Sequence, residues 1–229
     1  MNKIWKRTLY WTTGILLVAV VILLCVYWAS QTVPDYYKHA IEIPRARQLS
    51  NAAELEETID LVKDDLRRAE EISLELTQDQ INGWLATRLG SNGRMKLPAG
   101  VELPQIVLQP DSAILAFKID KENFSCVVSI KMNVRLSTDM QQLEFAIEEI
   151  HAGSLPVAIK RVFYELENAM NRSKIPFSWV PGSDRRKAIV ELPADLLKDV
   201  EGPLSEKTIT AESLEIKFER LKVTATVDN

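Results

Sequence analysis

The chain is poor in the residues from which most catalytic and metal sites are built. Its 229 residues include two histidines and two cysteines. It has no Cys-x-x-Cys, no His-x-x-x-His, no Gly-x-Ser-x-Gly elbow and no glycine loop of the kind that cradles phosphate. Cys25 falls inside an apolar run and Cys126 stands alone outside it. An exported domain could therefore form no internal disulfide and must be held by apolar packing. Charge is the other absence: Thr8 to Pro34 carry none. All 32 acidic residues follow that run, and three of the 28 basic residues (Lys3, Lys6, Arg7) precede it. The remainder has 25 basic residues against 32 acidic ones, a formal charge of −7. Nucleic acid and anionic headgroups are poor partners for such a surface.

The uncharged run has the make of a membrane span. Its core, Leu16 to Leu24, lies between Tyr10-Trp11 and Tyr27-Trp28, ring pairs suited to the headgroup level. At about 1.5 Å per helical residue, Trp11 to Trp28 covers roughly 26 Å, close to a hydrocarbon core of about 30 Å. A cleavable signal shares the basic start and apolar run. Cutting after Ala29 or Ser30, however, leaves Tyr27 or Trp28 where a small residue is needed. A lipoprotein signal fails similarly, since the bulky Leu24 precedes Cys25. The expected layout is a cytoplasmic tail over 1–8, a single transmembrane helix over 9–29, a stalk over 30–50 and an extracytoplasmic α+β domain over 51–229. The positive-inside rule puts the N-terminus in the cytoplasm and the domain outside a plasma (inner) membrane.

In the stalk, Pro34-Asp35-Tyr36-Tyr37 opens one or two helical turns that end by Pro44. Asn51 and Glu54 offer a helix cap, followed by apolar residues Leu55, Ile59, Val62, Leu66 and Ala69. The opposite side (Glu56, Glu57, Asp60, Lys63, Asp64, Arg67) reads as a solvated face. Ile72, Leu74 and Leu76 alternate briefly. Thr77 with Gln80 then forms a capping box, opening a helix with a buried stripe of Ile81, Trp84, Leu85 and Leu89 and an end at Gly90 to Gly93. Residues 94–105, with Pro98, Gly100 and Pro104, read as a loop.

The clearest signal follows. From Phe124 to Leu136 every even position is apolar and the odd ones are mostly polar, which predicts a strand of about thirteen residues against the usual five or six. Ala113 to Ile119 and Leu143 to Ile147 alternate likewise. Short turns at 120–123 and 137–140 make the three an antiparallel, curved β-meander with one apolar face. Ser154 reads as the cap of a helix whose apolar side (Leu155, Ala158, Ile159, Val162, Leu166, Ala169, Met170) would cover that face, with Lys174-Ile175-Pro176 as its stop. Phe177 and Trp179 lead through Pro181-Gly182 to a strand at 188–192. Near the C-terminus the apolar phase switches from even (Leu214, Ile216, Phe218) to odd (Leu221, Val223, Ala225, Val227), so a bulge or bend is expected at Glu219-Arg220. The fold class is α+β: a transmembrane helix, then a curved antiparallel meander packed on amphipathic helices.

Candidate chemistry is sparse. Glu149 and His151 would share a strand face, but two ligands at a strand end fall short of a metal site, and no metal, cofactor or catalytic residue is expected. Asn123-Phe124-Ser125 and Asn171-Arg172-Ser173 match the glycosylation acceptor pattern. Trp84 and Trp179 could stack on a ligand, but at these spacings tryptophan is more often plain core. Cys126 faces the apolar side of its strand as a small hydrophobe.

The run Leu76-Thr77-Gln78-Asp79-Gln80-Ile81-Asn82 before the meander, and Gly153-Ser154-Leu155-Pro156 after it, resemble the YpmS-like membrane-anchored proteins of bacteria. The likeness covers roughly residues 5–30 and 72–182 and implies a single N-terminal span with an exported domain, carrying over no catalytic residues. The long one-faced strands, with helices over them that leave a groove, give the expectation of a non-enzymatic domain that binds a lipid-like ligand between them, lined by Trp84, Leu85, Phe145, Val162 and Leu166. An envelope protein partner is the alternative, and nucleic acid is excluded.

Overall fold

The N-terminal helix α1 (Lys3–Gln31) shows why it is not a core helix. Leu17, Val18, Val20 to Leu24, Val26 and Trp28 are all largely exposed, Trp28 by 76%. A helix that is apolar all round is normally covered, by protein or by lipid. The computed structural model describes residues 3–65, 71–89, 97, 100–121, 124–137, 142–157, 177–184, 186–191 and 208–228. Among these no single helix is long and apolar enough to cross a membrane, but Leu17–Gln31 and Asp35–Ile41, bent by 41° at their junction, pass by length and composition as a pair. This is the make of a membrane anchor or signal sequence. The second helix, α2 (Asp35–Ile41), nevertheless buries Tyr37 and Ala40 and carries an Asp35–Lys38 ion pair.

Helix α3 (Arg45–Asp65) begins six residues before the cap expected at Asn51. The Pro44 carbonyl accepts the N–H groups of Arg47 and Gln48, and the fixed φ of proline pre-sets a helix start. Asn51 instead lies inside the helix, buried. A short strand, β1 (Glu71–Thr77), leads to α4 (Gln78–Arg88), where the capping box is present in full: the Thr77 hydroxyl accepts from Gln80 N–H and the Gln80 side chain accepts from Thr77 N–H. The face α4 buries is not the expected stripe. Asn82 and Gly83 are its buried residues, while Ile81, Trp84, Leu85 and Leu89 are half-buried. The reason is close approach, since a Cβ on Gly83 would stand 2.7 Å from both Asn51 Cβ and the Gln48 carbonyl oxygen of α3. Arg88 of α4 also pairs with Glu56, so the charged side of α3 is not wholly solvated.

The large sheet runs in the order β2-β3-β4-β5-β8-β7, with β6 also paired to β5. Its strands are β2 (Val101–Gln109), β3 (Ser112–Lys121), β4 (Phe124–Leu136), β5 (Gln142–Ala152), β6 (Leu155–Pro156), β7 (Phe177–Trp179) and β8 (Lys187–Glu191). The thirteen-residue strand stands where the alternation places it. Met132, Ile130, Val128 and Cys126 of β4 share a face with Ala113, Leu115, Phe117 and Ile119 of β3. On β5 a register shift opposite Lys131/Met132 moves the face from Ile150 to Ile147, Phe145 and Leu143, as a bulge does by adding one residue to one strand.

Four readings of the sequence change here. Residues 101–105 are not loop but the start of β2, a strand with a register shift between Glu102 and Gln105 and with Leu103 at φ 49°. Proline is tolerated at an edge or bulge, and Pro104 sits at both. Ser154 caps no helix: it lies in the turn between β5 and β6, where Ala152 pairs with Leu155. Phe177 to Trp179, read as a lead-in, form a strand paired to β8. The C-terminal phase change is no bend in one strand but a hairpin between β9 (Thr208–Lys217) and β10 (Arg220–Asp228). Pairs such as Ile216↔Leu221 and Leu214↔Val223 sum to an odd number, so a two-residue turn must carry one apolar face from even to odd positions. With β1 these strands form a second sheet, β1-β10-β9.

Several expectations fall outside the described residues: the apolar side at 158–170 including Val162 and Leu166, the stop at 174–176, the ends Leu66 to Ala69 and Gly90 to Gly93, and the acceptors Asn123 and Asn171.

Candidate functional site

Two constructions around the large sheet join distant parts of the chain. One is at the outer edge of β2. An edge strand presents unpaired N–H and C=O groups, and here α4 takes them up. Asn82 Nδ2 donates to the Ile106 carbonyl (2.8 Å), Asn82 Oδ1 accepts from Ile106 N–H (2.7 Å), and Gln78 Oε1 accepts from Leu108 N–H (2.8 Å). Residues i and i+4 share a helix face, so Gln78 and Asn82 reach the same edge one turn apart. The Leu108 carbonyl accepts from Glu219 N–H, and Gln78 N–H donates to the Glu219 carbonyl. The turn between β9 and β10 thereby ties the small sheet to the same edge.

The other construction is a seat for the end of α1. Gly153 has φ +61°, and a Cβ there would stand 2.5 Å from the carbonyl oxygens of Ala29 and Ser30. A glycine is required both by the left-handed backbone and by the space. Beside it, Ser154 donates to the Ala29 carbonyl through its N–H and its Oγ, each at 3.0 Å. Ser30 Oγ donates to the Tyr27 carbonyl, and Thr32 Oγ1 to that of Trp28. The last turn of α1, whose carbonyls have no partner within the helix, is thus completed by donors from its own exit and from a turn 125 residues away.

From the seat the chain crosses the polar side of the sheet. Val33, Tyr36 and Tyr37 pack on Ala116 and Val127, so this side is wet only in part, and Ser129 and Gln105 on it are buried too. Tyr37 is 1% exposed and its hydroxyl donates to the Leu103 carbonyl at 2.9 Å. Burial pushes its phenol up to about 12, with the Glu102 carboxylate adding to the rise. Residues 30–41, read from sequence as part of a stalk, therefore include buried Ser30, Tyr37 and Ala40.

The opposite side holds the apolar cluster. Cys126, Val128, Ile130, Ile147 and Ile150 are buried, with Phe117, Ile119, Met132, Ala152, Val157 and Trp179 partly buried around them. The residues expected to line a groove are distributed unevenly relative to it. Phe145 is on β5, opposite Val134 and Ala188. Trp84 and Leu85 are on α4, which packs on α3, β2 and β1. The strands β2 and β5 are three places apart, about 14 Å at about 4.8 Å per strand, so the structure does not bring this pair to Phe145.

Polar chemistry on the sheet is modest. Lys131 bridges to Glu148, which also accepts from Asn133. The Lys131 bond holds the Glu148 carboxyl below its usual range. Glu149 and His151 do come together, at 4.0 Å, but no group of three metal-ligating side chains occurs among the described residues. Burial pushes the Cys126 thiol up, which lowers its nucleophilicity.

Sequence reasoning assigned no docking role to Gly153, Ser154, Tyr37, Gln78 or Asn82. Four of these lie within the two short motifs quoted above, which is the signal that could have found them. No family model, curated protein or solved structure matches the chain.

Proposed function

We propose that the chain is a bilayer-anchored domain that holds a lipid-like hydrophobic ligand at the membrane surface and carries out no catalysis. The observation that carries this reading is the seat of α1 at Gly153-Ser154, because it leaves no slack between an apolar anchor and the sheet. The ligand site is the apolar side of the large sheet, where Phe117, Ile119, Met132, Val157 and Trp179 surround the buried cluster. Each methylene buried there contributes about 0.8 kcal/mol, enough for an acyl chain to bind without a charged contact. Residues 1–8 are cytoplasmic and the domain extracytoplasmic at the plasma (inner) membrane, on the asymmetry of Lys3, Lys6 and Arg7 against an uncharged run. Kinship with the YpmS-like proteins belongs to the same proposal. Its two motifs serve here to cover the β2 edge and to seat the anchor.

A protein partner is the second reading, favoured by Phe218, which is 68% exposed in the β9–β10 turn. A photoactivatable acyl lipid incorporated into membranes containing the full chain separates the two. Adducts on peptides spanning 112–132 and 177–179 are expected. Adducts confined to α1 would refute the lipid reading and leave the partner reading standing.

A further inference from the structure

We propose that the Gly153-Ser154 turn is a clamp that makes the anchor helix and the domain one mechanical unit, so that a tilt of the helix in the bilayer is passed to the sheet. The inference rests on the anchored reading above and goes beyond it, because a tether needs only a covalent link. What the fold supplies is a series of fixings with no free linker between them. Ala29 is held by two donors from Ser154. Ser30 is 7% exposed with its carbonyl against Gly153. Val33 packs in the cluster of Tyr37, Ala116 and Val127, and Tyr37 is tied to β2 through the Leu103 carbonyl. Only Thr32 to Pro34 separate α1 from α2, and their middle residue is packed.

The clamp engages the sheet at its centre. Gly153 N–H donates to the Val127 carbonyl of β4 at 2.8 Å, and Val127 pairs with Lys118 of β3, which pairs with Glu102 of β2. Gly153, in the turn after β5, thus stands in line with the register partners Val127, Lys118 and Glu102 on three successive strands, next to the bulged Leu103 that Tyr37 holds. The helix end and α2 grip the two ends of this row. A rotation of α1 must either break the Ala29–Ser154 bonds or carry the row with it.

The test is a distance distribution between spin labels in the full chain, reconstituted in nanodiscs, with Cys25→Ser and Cys126→Ala as background. The labels replace Trp28, exposed on α1, and Glu149, exposed on β5. A single narrow distribution is expected for the otherwise unaltered chain, at least a twofold broadening for Gly153→Val, and an intermediate width for Ser154→Ala, which keeps the backbone donor. A broad distribution in the unaltered chain, or a Ser154→Ala variant as narrow as its parent, overturns the clamp. If Gly153→Val fails to fold, the other two measurements decide. Mass spectrometry of the same samples reports whether α1 is retained, so loss of the anchor is distinguished from a loose clamp.

Discussion

Replacing Asn82 by leucine is the sharpest probe of the β2 edge. The volume change is small, and leucine is the better helix former by about 0.5 kcal/mol, so propensity alone predicts a slight gain. The structure predicts a loss. Asn82 satisfies both the N–H and the C=O of Ile106, at 2.7 and 2.8 Å, and Asn82 itself is 4% exposed. Leucine would leave both backbone groups facing an apolar side chain, at about 1–3 kcal/mol for each unmet group. After the propensity gain, a net destabilisation of about 2–5 kcal/mol is expected. Against a total stability of about 5–15 kcal/mol, and with a urea dependence of about 1–3 kcal/mol per molar, the midpoint should fall by at least about 0.7 M. Urea titration of the full chain in detergent, followed by tryptophan fluorescence, measures it. Thr87→Ala is the control, because its hydroxyl bonds only carbonyls of its own helix, and it should stay within about 0.5 kcal/mol of the parent. A midpoint for Asn82→Leu equal to that of the control would refute the assignment of Asn82 as a surrogate strand.

Ile130→Asp should unfold the domain, since an unpaired carboxylate would enter a site 2% exposed. Lys131→Asp should lose its bridge to Glu148 and set like charges against Glu148 and Glu149, a modest cost on an exposed face, and Ser129→Asp should destabilise more, because Ser129 is 6% exposed on the face that carries Ala116 and Val127; thermal melts rank the three. Gly83→Ala, favoured by about 1 kcal/mol on helix propensity alone, should instead lower the melting temperature, because the added Cβ would meet Asn51 and the Gln48 carbonyl at 2.7 Å. Tyr37 gives a pH dependence. Its folded pKa is raised from 10.0 to about 12, so its contribution is fully present below pH 10 and is lost as pH rises towards 12. The loss is on the order of 2–3 kcal/mol. Urea titrations between pH 9 and 12 should show a shallower alkaline fall for Tyr37→Phe, and equal slopes would contradict the burial of the phenol.

What the sequence determined by itself was whatever local chemistry controls. The Thr77–Gln80 box and the start of α4 were legible because a cap is written in four consecutive residues. The bounds of β4 were legible because a period of two over thirteen residues has no competing reading. An uncharged run flanked by rings marks an anchor-like helix whatever follows it. Tertiary structure decided where non-local partners replaced local signals. Ser154 looked like a helix cap because a hydroxyl before an apolar stretch has that meaning locally; its acceptor, Ala29, lies 125 residues away. Pro104 looked like loop until an edge position and a bulge made room for it in β2. Gly83 and Asn82 carry no apolar signal, yet they are the buried side of α4, because one admits α3 and the other imitates a strand. The expected lining of Trp84, Leu85 and Phe145 followed from apolar character alone, and apolar character does not say that three strands stand between them.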